Sequence, residues 1–165
     1  MEIVLRHARL VRIFRIADAR HAIWDGTGAM LMGGRWNGRG KPIIYGSLTF
    51  AGAMLEVLVH ARIGKIPRNQ SYVCADVPDG ISVERLSLQM LPPDWDAEDS
   101  TGARQAGDQW LDERRSAILL VPSVMAREEW NAMVNPLHPE AQQLIISKPQ
   151  AVIWDDRLFH KNFQQ

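Results

Sequence analysis

Glu56 is the only formally charged side chain between Pro42 and Ala61, with fourteen uncharged residues before it, five after it, and Lys41 and Arg62 closing the window. A carboxylate is costly to bury unless it is paired or hydrogen-bonded. On a helix its neighbours at i−4, i−3, i+3 and i+4 are Gly52, Ala53, Val59 and His60. One reading puts Glu56 on the solvated strip of an amphipathic helix; the small, mostly apolar face around it suits the wall of a cleft. Its natural counter-charges are Arg15 and Arg35. Arg15 stands in Phe14-Arg15-Ile16, where strand alternation sends it to the face opposite both neighbours. Arg35 sits in Gly33-Gly34-Arg35-Trp36-Asn37. There two glycines let the backbone approach a ligand, and the side chains offer a guanidinium fork, an aromatic plane and an amide. The other reading of that segment is a surface turn whose Trp36 packs on the core.

Tyr45, after the glycine loop, either stacks on a flat ring or fills the core. His60, one turn past Glu56, is a candidate base or a structural residue. No histidine pair has metal-ligand spacing, and His138 lies in a Pro-rich turn. A single cysteine, Cys74, excludes an intramolecular disulfide and a cysteine-based zinc site, so no metal is expected. There is no Walker loop and no Gly-x-Ser-x-Gly elbow, and Gly26-Thr27-Gly28 lacks the preceding strand of a dinucleotide fingerprint.

These residues sit in a chain of 165, with 46% hydrophobic and 23% charged residues and nineteen Lys+Arg against nineteen Asp+Glu. That composition fits one packed domain over 1–165, with its core at about 11–160, and no membrane class. The lone cysteine fits a cytoplasmic setting. The first twenty residues carry Arg6, Arg9, Arg12, Arg15 and Arg20 and lack the apolar stretch of an export signal. Zero net charge argues against a nucleic-acid coat. The charge is nonetheless segregated: residues 1–45 hold eight bases against three acids, whereas 84–113 hold eight acids against Arg85 and Arg104. Fifteen of the nineteen bases are Arg, a preference that phosphate binding and compositional bias explain equally well.

Val11–Ile16 alternates as a strand with one buried face. Trp24–Gly40 is glycine-dense and reads as loop or short turns. Ile43-Ile44-Tyr45 reads as a short buried strand. Ser47 or Thr49 can cap a helix to about Ile63, with Ala51, Met54, Leu55, Leu58 and Ala61 facing the core. Ser71–Val77 and Ile81–Leu86 read as strands separated by the Pro78-Asp79-Gly80 turn. A polar helix spans about Ser100–Arg115, and Ala117–Val121 is a strand. Trp130–Pro139 favours turns and loops, and apolar runs at Leu144–Ile146 and Ala151–Trp154 complete a strand-rich α+β pattern.

The succession Phe14-Arg15-Ile16, Gly33-Gly34-Arg35-Trp36-Asn37, Ile43-Ile44-Tyr45 and Met54-Leu55-Glu56-Val57-Leu58-Val59-His60 resembles the RES-domain toxins of bacterial toxin–antitoxin pairs. Gly107-Asp108-Gln109-Trp110, Arg115-Ser116-Ala117, Val121-Pro122-Ser123, Asn131, Asn135-Pro136-Leu137-His138-Pro139 and Trp154-Asp155-Asp156-Arg157-Leu158-Phe159 extend the match. The resemblance implies an α+β fold: a compact split β-sheet core with peripheral helices, similar to the diphtheria-toxin-like ADP-ribosyltransferases, around an NAD cleft. It implies that NAD is consumed as substrate, by hydrolysis or phosphorolysis of the nicotinamide–ribose bond. The family's Arg, Tyr and Glu fall on Arg15 or Arg35, Tyr45 and Glu56, and its serine falls on Ser123. Which arginine holds which phosphate stays open.

Breaking that bond leaves a cationic ribose in the transition state, which Glu56 would stabilise. Arg15 and Arg35 would hold the pyrophosphate, and Trp36 and Tyr45 offer faces for nicotinamide or ribose. The expected catalytic set is Glu56, Arg15 and Tyr45, and the expected NAD-binding set is Arg15, Arg35, Trp36, Asn37, Tyr45 and Ser123. One alternative is ADP-ribosyl transfer to a protein; transferases of this fold often carry a second acid near the acceptor, where Met54 stands here. Another is a non-catalytic nucleotide-binding module. The implied partner is a cognate antitoxin with a helix-turn-helix DNA-binding part and a segment that blocks the cleft. No direct nucleic-acid contact is expected, and a homo-oligomer within the toxin–antitoxin complex stays open.

Overall fold

Neighbouring residues of the strand Ile118–Pro122 fall into two different apolar clusters: Ile118 packs with Ile13, Ile44 and Val134, whereas Leu119 and Val121 pack with Trp36, Trp110 and Met133. Both faces of the sheet are therefore covered at its centre, which is why this strand reads as an unbroken apolar run. The computed structural model describes residues 11–61 and 67–159; Arg6, Arg9, Arg62, Ile63 and residue 160 lie outside them.

In chain order the elements are β1 (Val11–Asp18), α1 (Thr27–Met32), β2 (Ile44–Ser47), α2 (Phe50–His60), β3 (Gln70–Val77), β4 (Val83–Arg85), α3 (Thr101–Glu113), β5 (Ile118–Pro122), β6 (Trp130–Val134), β7 (Ile145–Ile146) and β8 (Gln150–Ala151). The strands form one sheet in the order β4-β5-β6-β2-β1-β3-β7, with β8 also on β3. Only β4 and β5 run parallel. β1 and β3 pair along eight residues, but β1 and β2 meet at the single pair Phe14↔Ser47. The expected split is this narrow junction within a continuous sheet. Gly46 makes it sterically possible, since a Cβ there would lie 2.5 Å from Ile13 Cγ2 and 2.9 Å from the Phe14 carbonyl.

Three expectations are corrected. Trp130–Pro139 opens with β6, a central strand; Asn131 is tolerated because its side chain is bonded across to Ser47, and the turn begins only at Asn135-Pro136. The glycine-dense segment contains α1, started where Asp25 accepts hydrogen bonds from the Thr27 amide and hydroxyl. α2 is capped by Thr49 and ends at His60, with Ala53 as its buried residue and Ala51 exposed. It crosses β1 through Phe14 and Phe50, whose rings meet edge-on, so its other apolar side chains are only half covered. The turn at Pro78-Asp79-Gly80 separates β3 from β4 as expected, and the two strands lie in opposite halves of the sheet.

Candidate functional site

The site grows from the β1/β2 junction. Leu48 N–H bonds the Trp130 carbonyl on β6, and antiparallel alternation then turns the Tyr45 carbonyl toward β1. There β1 has already diverged, and a side chain takes the place of the strand. Arg15 Nη1 donates to the Tyr45 carbonyl at 2.8 Å and Nε to the Ile23 carbonyl at 2.6 Å, while Nη2 reaches the Asp25 carbonyl at 3.5 Å. Burial pulls the guanidinium below its usual range, with Asp25 opposing that shift; the group remains a cation.

The loop over this junction is held from both sides. Tyr45 Oη accepts from the Trp36 amide at 3.0 Å and donates to Asn37 Oδ1 at 2.7 Å. Asn37 Nδ2 donates to the Ala29, Gly38 and Lys41 carbonyls. Asn37 is 0% and Trp36 3% exposed; both border the cleft, with the Asn37 amide bonded to the loop's own carbonyls and the Trp36 ring packed in the core with Trp110. Burial pushes the Tyr45 phenol well above its ordinary range, and the Trp36 amide only partly offsets that, which keeps the hydroxyl protonated and structural. From α3, Asp108 accepts the Gly38 amide at 2.7 Å, and Gly107 lies directly beneath the Trp36 carbonyl. Gly107-Asp108 thereby acquires a physical role that the sequence left unexplained.

Glu56 is half-buried on α2. Asn131 Nδ2 donates to its Oε1 at 2.8 Å and Ser123 Oγ at 3.2 Å. Neither Arg15 nor Arg35 pairs with it; two neutral donors do that work, correcting the expected counter-charges. Glu56 Oε2 has no hydrogen-bond partner among the described residues. Ser47 Oγ in turn donates to Asn131 Oδ1 at 2.9 Å. Asn131 and Ser47 are the site residues missed from sequence: Asn131 reads there as a loop residue and part of the family pattern, and Ser47 as a possible helix cap.

Arg15, Arg35, Arg39, Tyr45, Glu56 and His60 line one cleft of about 1240 Å³, into which Ser47 and Asn131 also reach. Arg35 gives Nη1 to the Trp95 and Ala97 carbonyls, leaving Nε and Nη2 without a partner among the described residues. Arg39 is exposed. The remaining described bases of the first third are engaged elsewhere: Arg12 on Asp76, Arg20 on Asp18 and Lys41 on Asp112. Of the expected phosphate-binding arginines, Arg35 is the one with open donors. Among the described residues, no group of three or more His, Cys, Asp or Glu side chains could hold a metal ion, and no helix is long and apolar enough to cross a membrane.

The fold is similar to the toxin–antitoxin complex of M. tuberculosis MbcT and MbcA, with TM-score 0.70 at 22% identity over 90% of this chain and 85% of that one. In sequence, the chain is 40% identical to the Prs ADP-ribosylating toxin of Sphingobium sp. (strain YBL2), covering 90% of this chain and 96% of the relative. It is 32% identical to Toxin Res of Photorhabdus laumondii over 81% and 86% of the two chains. Residues 9–155 match the RES domain, and with that span matched the chain belongs to the RES domain family.

Proposed function

We propose that the chain is the toxin of a toxin–antitoxin pair and that it cleaves the nicotinamide–ribose bond of NAD. The observation that carries this reading is Glu56: a carboxylate held through one oxygen, with its second oxygen unbonded among the described residues, in the cleft that also contains the donors of Arg35 left open among those residues. The donor set suits this substrate, with a guanidinium for the pyrophosphate and a fixed anion for the ribose.

The C1′–N bond breaks with its electron pair going to the nicotinamide ring nitrogen, which leaves neutral without a strong general acid. Positive charge builds at C1′, and Glu56 opposes it from a position set before the substrate arrives. The oxygen of water or phosphate adds to C1′, and for water the surplus proton returns to solvent. Arg15 keeps the sheet open beside the site, and Tyr45 holds the loop that carries Arg35.

A second reading, in which a protein side chain is the acceptor, is favoured by the 40% identity to a relative named as an ADP-ribosylating toxin. Both readings share bond cleavage at Glu56. Similarity in fold to the M. tuberculosis toxin–antitoxin complex, and in sequence to Toxin Res, supports an antitoxin partner for this chain; a helix-turn-helix part in that partner, and a cytoplasmic place of action, belong to the same proposal.

The test is free nicotinamide released from NAD by the purified chain. Steady release without protein acceptor, rising with phosphate or indifferent to it, assigns phosphorolysis or hydrolysis; label fixed on a protein assigns transfer. Absence of both defeats the reading and leaves nucleotide binding alone.

A further inference from the structure

The hydrogen bonds around Glu56 have only one consistent direction. Ser123 Oγ accepts from the amides of Met125 and Ala126, each at 3.2 Å, so its single proton is left for Glu56 Oε1. Ser47 Oγ lies 2.9 Å from Asn131 Oδ1 and gives its proton there, which turns Asn131 Nδ2 to Glu56 Oε1 at 2.8 Å. The opposite amide orientation would set two acceptors face to face. Ser47 and Asn131 are register partners on β2 and β6, with Ser47 2% exposed, so the relay is built on central strands and not on loops.

We infer that Asn131, itself oriented by Ser47, is a positioning residue that aims the Glu56 carboxylate, anchoring Oε1 so that Oε2 is the oxygen presented to the reacting sugar. This rests on the proposed NAD cleavage. Both donors converge on one oxygen, so removing Asn131 frees the carboxylate to rotate without removing its charge. The sugar's binding groups stay in place, and the loss falls on the chemical step.

The experiment is a double-mutant cycle on nicotinamide release by the purified full chain. Asn131→Ala is expected to lower kcat by ~10- to 100-fold with KM for NAD within about twofold of wild type. Ser47→Ala is expected to lower kcat by ~3- to 10-fold alone and by less than about twofold in the Asn131→Ala background, because its effect passes through Asn131. A merely structural role would lower melting temperature and act equally in both backgrounds. Should Asn131→Ala not fold, Asn131→Leu keeps the approximate volume, removes the donor without setting a second carboxyl beside Glu56, and is read in the same way. An unchanged kcat, equal Ser47→Ala factors in both backgrounds, or a raised KM with normal kcat overturns the inference. Wild type that releases no nicotinamide overturns this inference and the proposed function together, whereas Glu56-dependent release untouched by Asn131 overturns this inference alone.

Discussion

Arg15 Nη1 donates to the Tyr45 carbonyl at 2.8 Å, bridging with a side chain the place where β1 and β2 stop pairing. A second short bond, to the Ile23 carbonyl at 2.6 Å, ties the following loop to the same guanidinium. Two bonds from a partly buried cation to backbone carbonyls predict that Arg15→Ala loses about 2–4 kcal/mol of stability in urea unfolding. Arg15→Lys should recover only part of it, because a point charge cannot span both carbonyls. Full stability in Arg15→Lys would show that charge, not the fork, holds the junction.

Tyr45→Phe removes one oxygen that serves two partners, the Trp36 amide and Asn37 Oδ1. The expected cost is roughly 1–3 kcal/mol, read by denaturant midpoint, since both groups are left unsatisfied in a buried loop. Because burial raises the phenol above its ordinary value near 10, the pH profile of nicotinamide release should show no limb from Tyr45 at or below that pH.

Glu56→Gln preserves shape and an acceptor oxygen for Asn131 and Ser123 while removing the charge. Nicotinamide release should fall ~100-fold or more with melting temperature retained, as expected when a group complementary to transition-state charge is lost. Glu56→Ala should behave alike. Wild-type turnover by either variant would sink the assigned role.

The strands β1, β3 and β5 and the helix α3 were readable because each carries a clean period: two for half-buried strands, an unbroken apolar run for β5, a capped polar pattern for α3. β6 was not, since Asn131 and the nearby Asn135-Pro136 mimic a loop until the cross-strand partner Ser47 is known. The same reasoning divides the site. Glu56 stood out by its isolation and Arg35 by its glycines, both local signals. The neutral donors to Glu56 come from residues 67 and 75 positions away, and the partners of Arg15 are backbone carbonyls, which carry no residue signature at all.

Asp25 accepts the Thr27 hydroxyl and amide, and these bonds hold its carboxyl below the usual range, with Arg15 adding a smaller effect in the same direction. A carboxyl lowered in the folded state contributes stability above its unfolded value of about 3.9 and loses it as pH falls below that value toward the folded one. Asp25→Asn should therefore be less stable than wild type at neutral pH, and the difference should shrink as pH drops below about 4. Melting temperatures over that range check this; a gap that widens on acidification would contradict it.

Gly107→Ala tests the clamp between α3 and the loop that carries Arg35. A Cβ at Gly107 would stand 1.8 Å from the Trp36 carbonyl oxygen and 2.7 Å from its carbon, and both are backbone atoms with no rotamer to yield. Either the helix or the loop must move, and the loop is held to its surroundings by side-chain hydrogen bonds through Tyr45, Asn37 and Asp108 rather than by a regular backbone ladder. The expected result is destabilisation by about 1–3 kcal/mol or more, the range of an overpacked core, with a raised KM for NAD in whatever fraction folds, since Arg35 moves with the loop. Gly38→Ala meets only the Asp108 carboxylate, 2.9 Å away at the end of a side chain, and should be milder. If the two variants prove equally stable, the helix is not the rigid floor of this site.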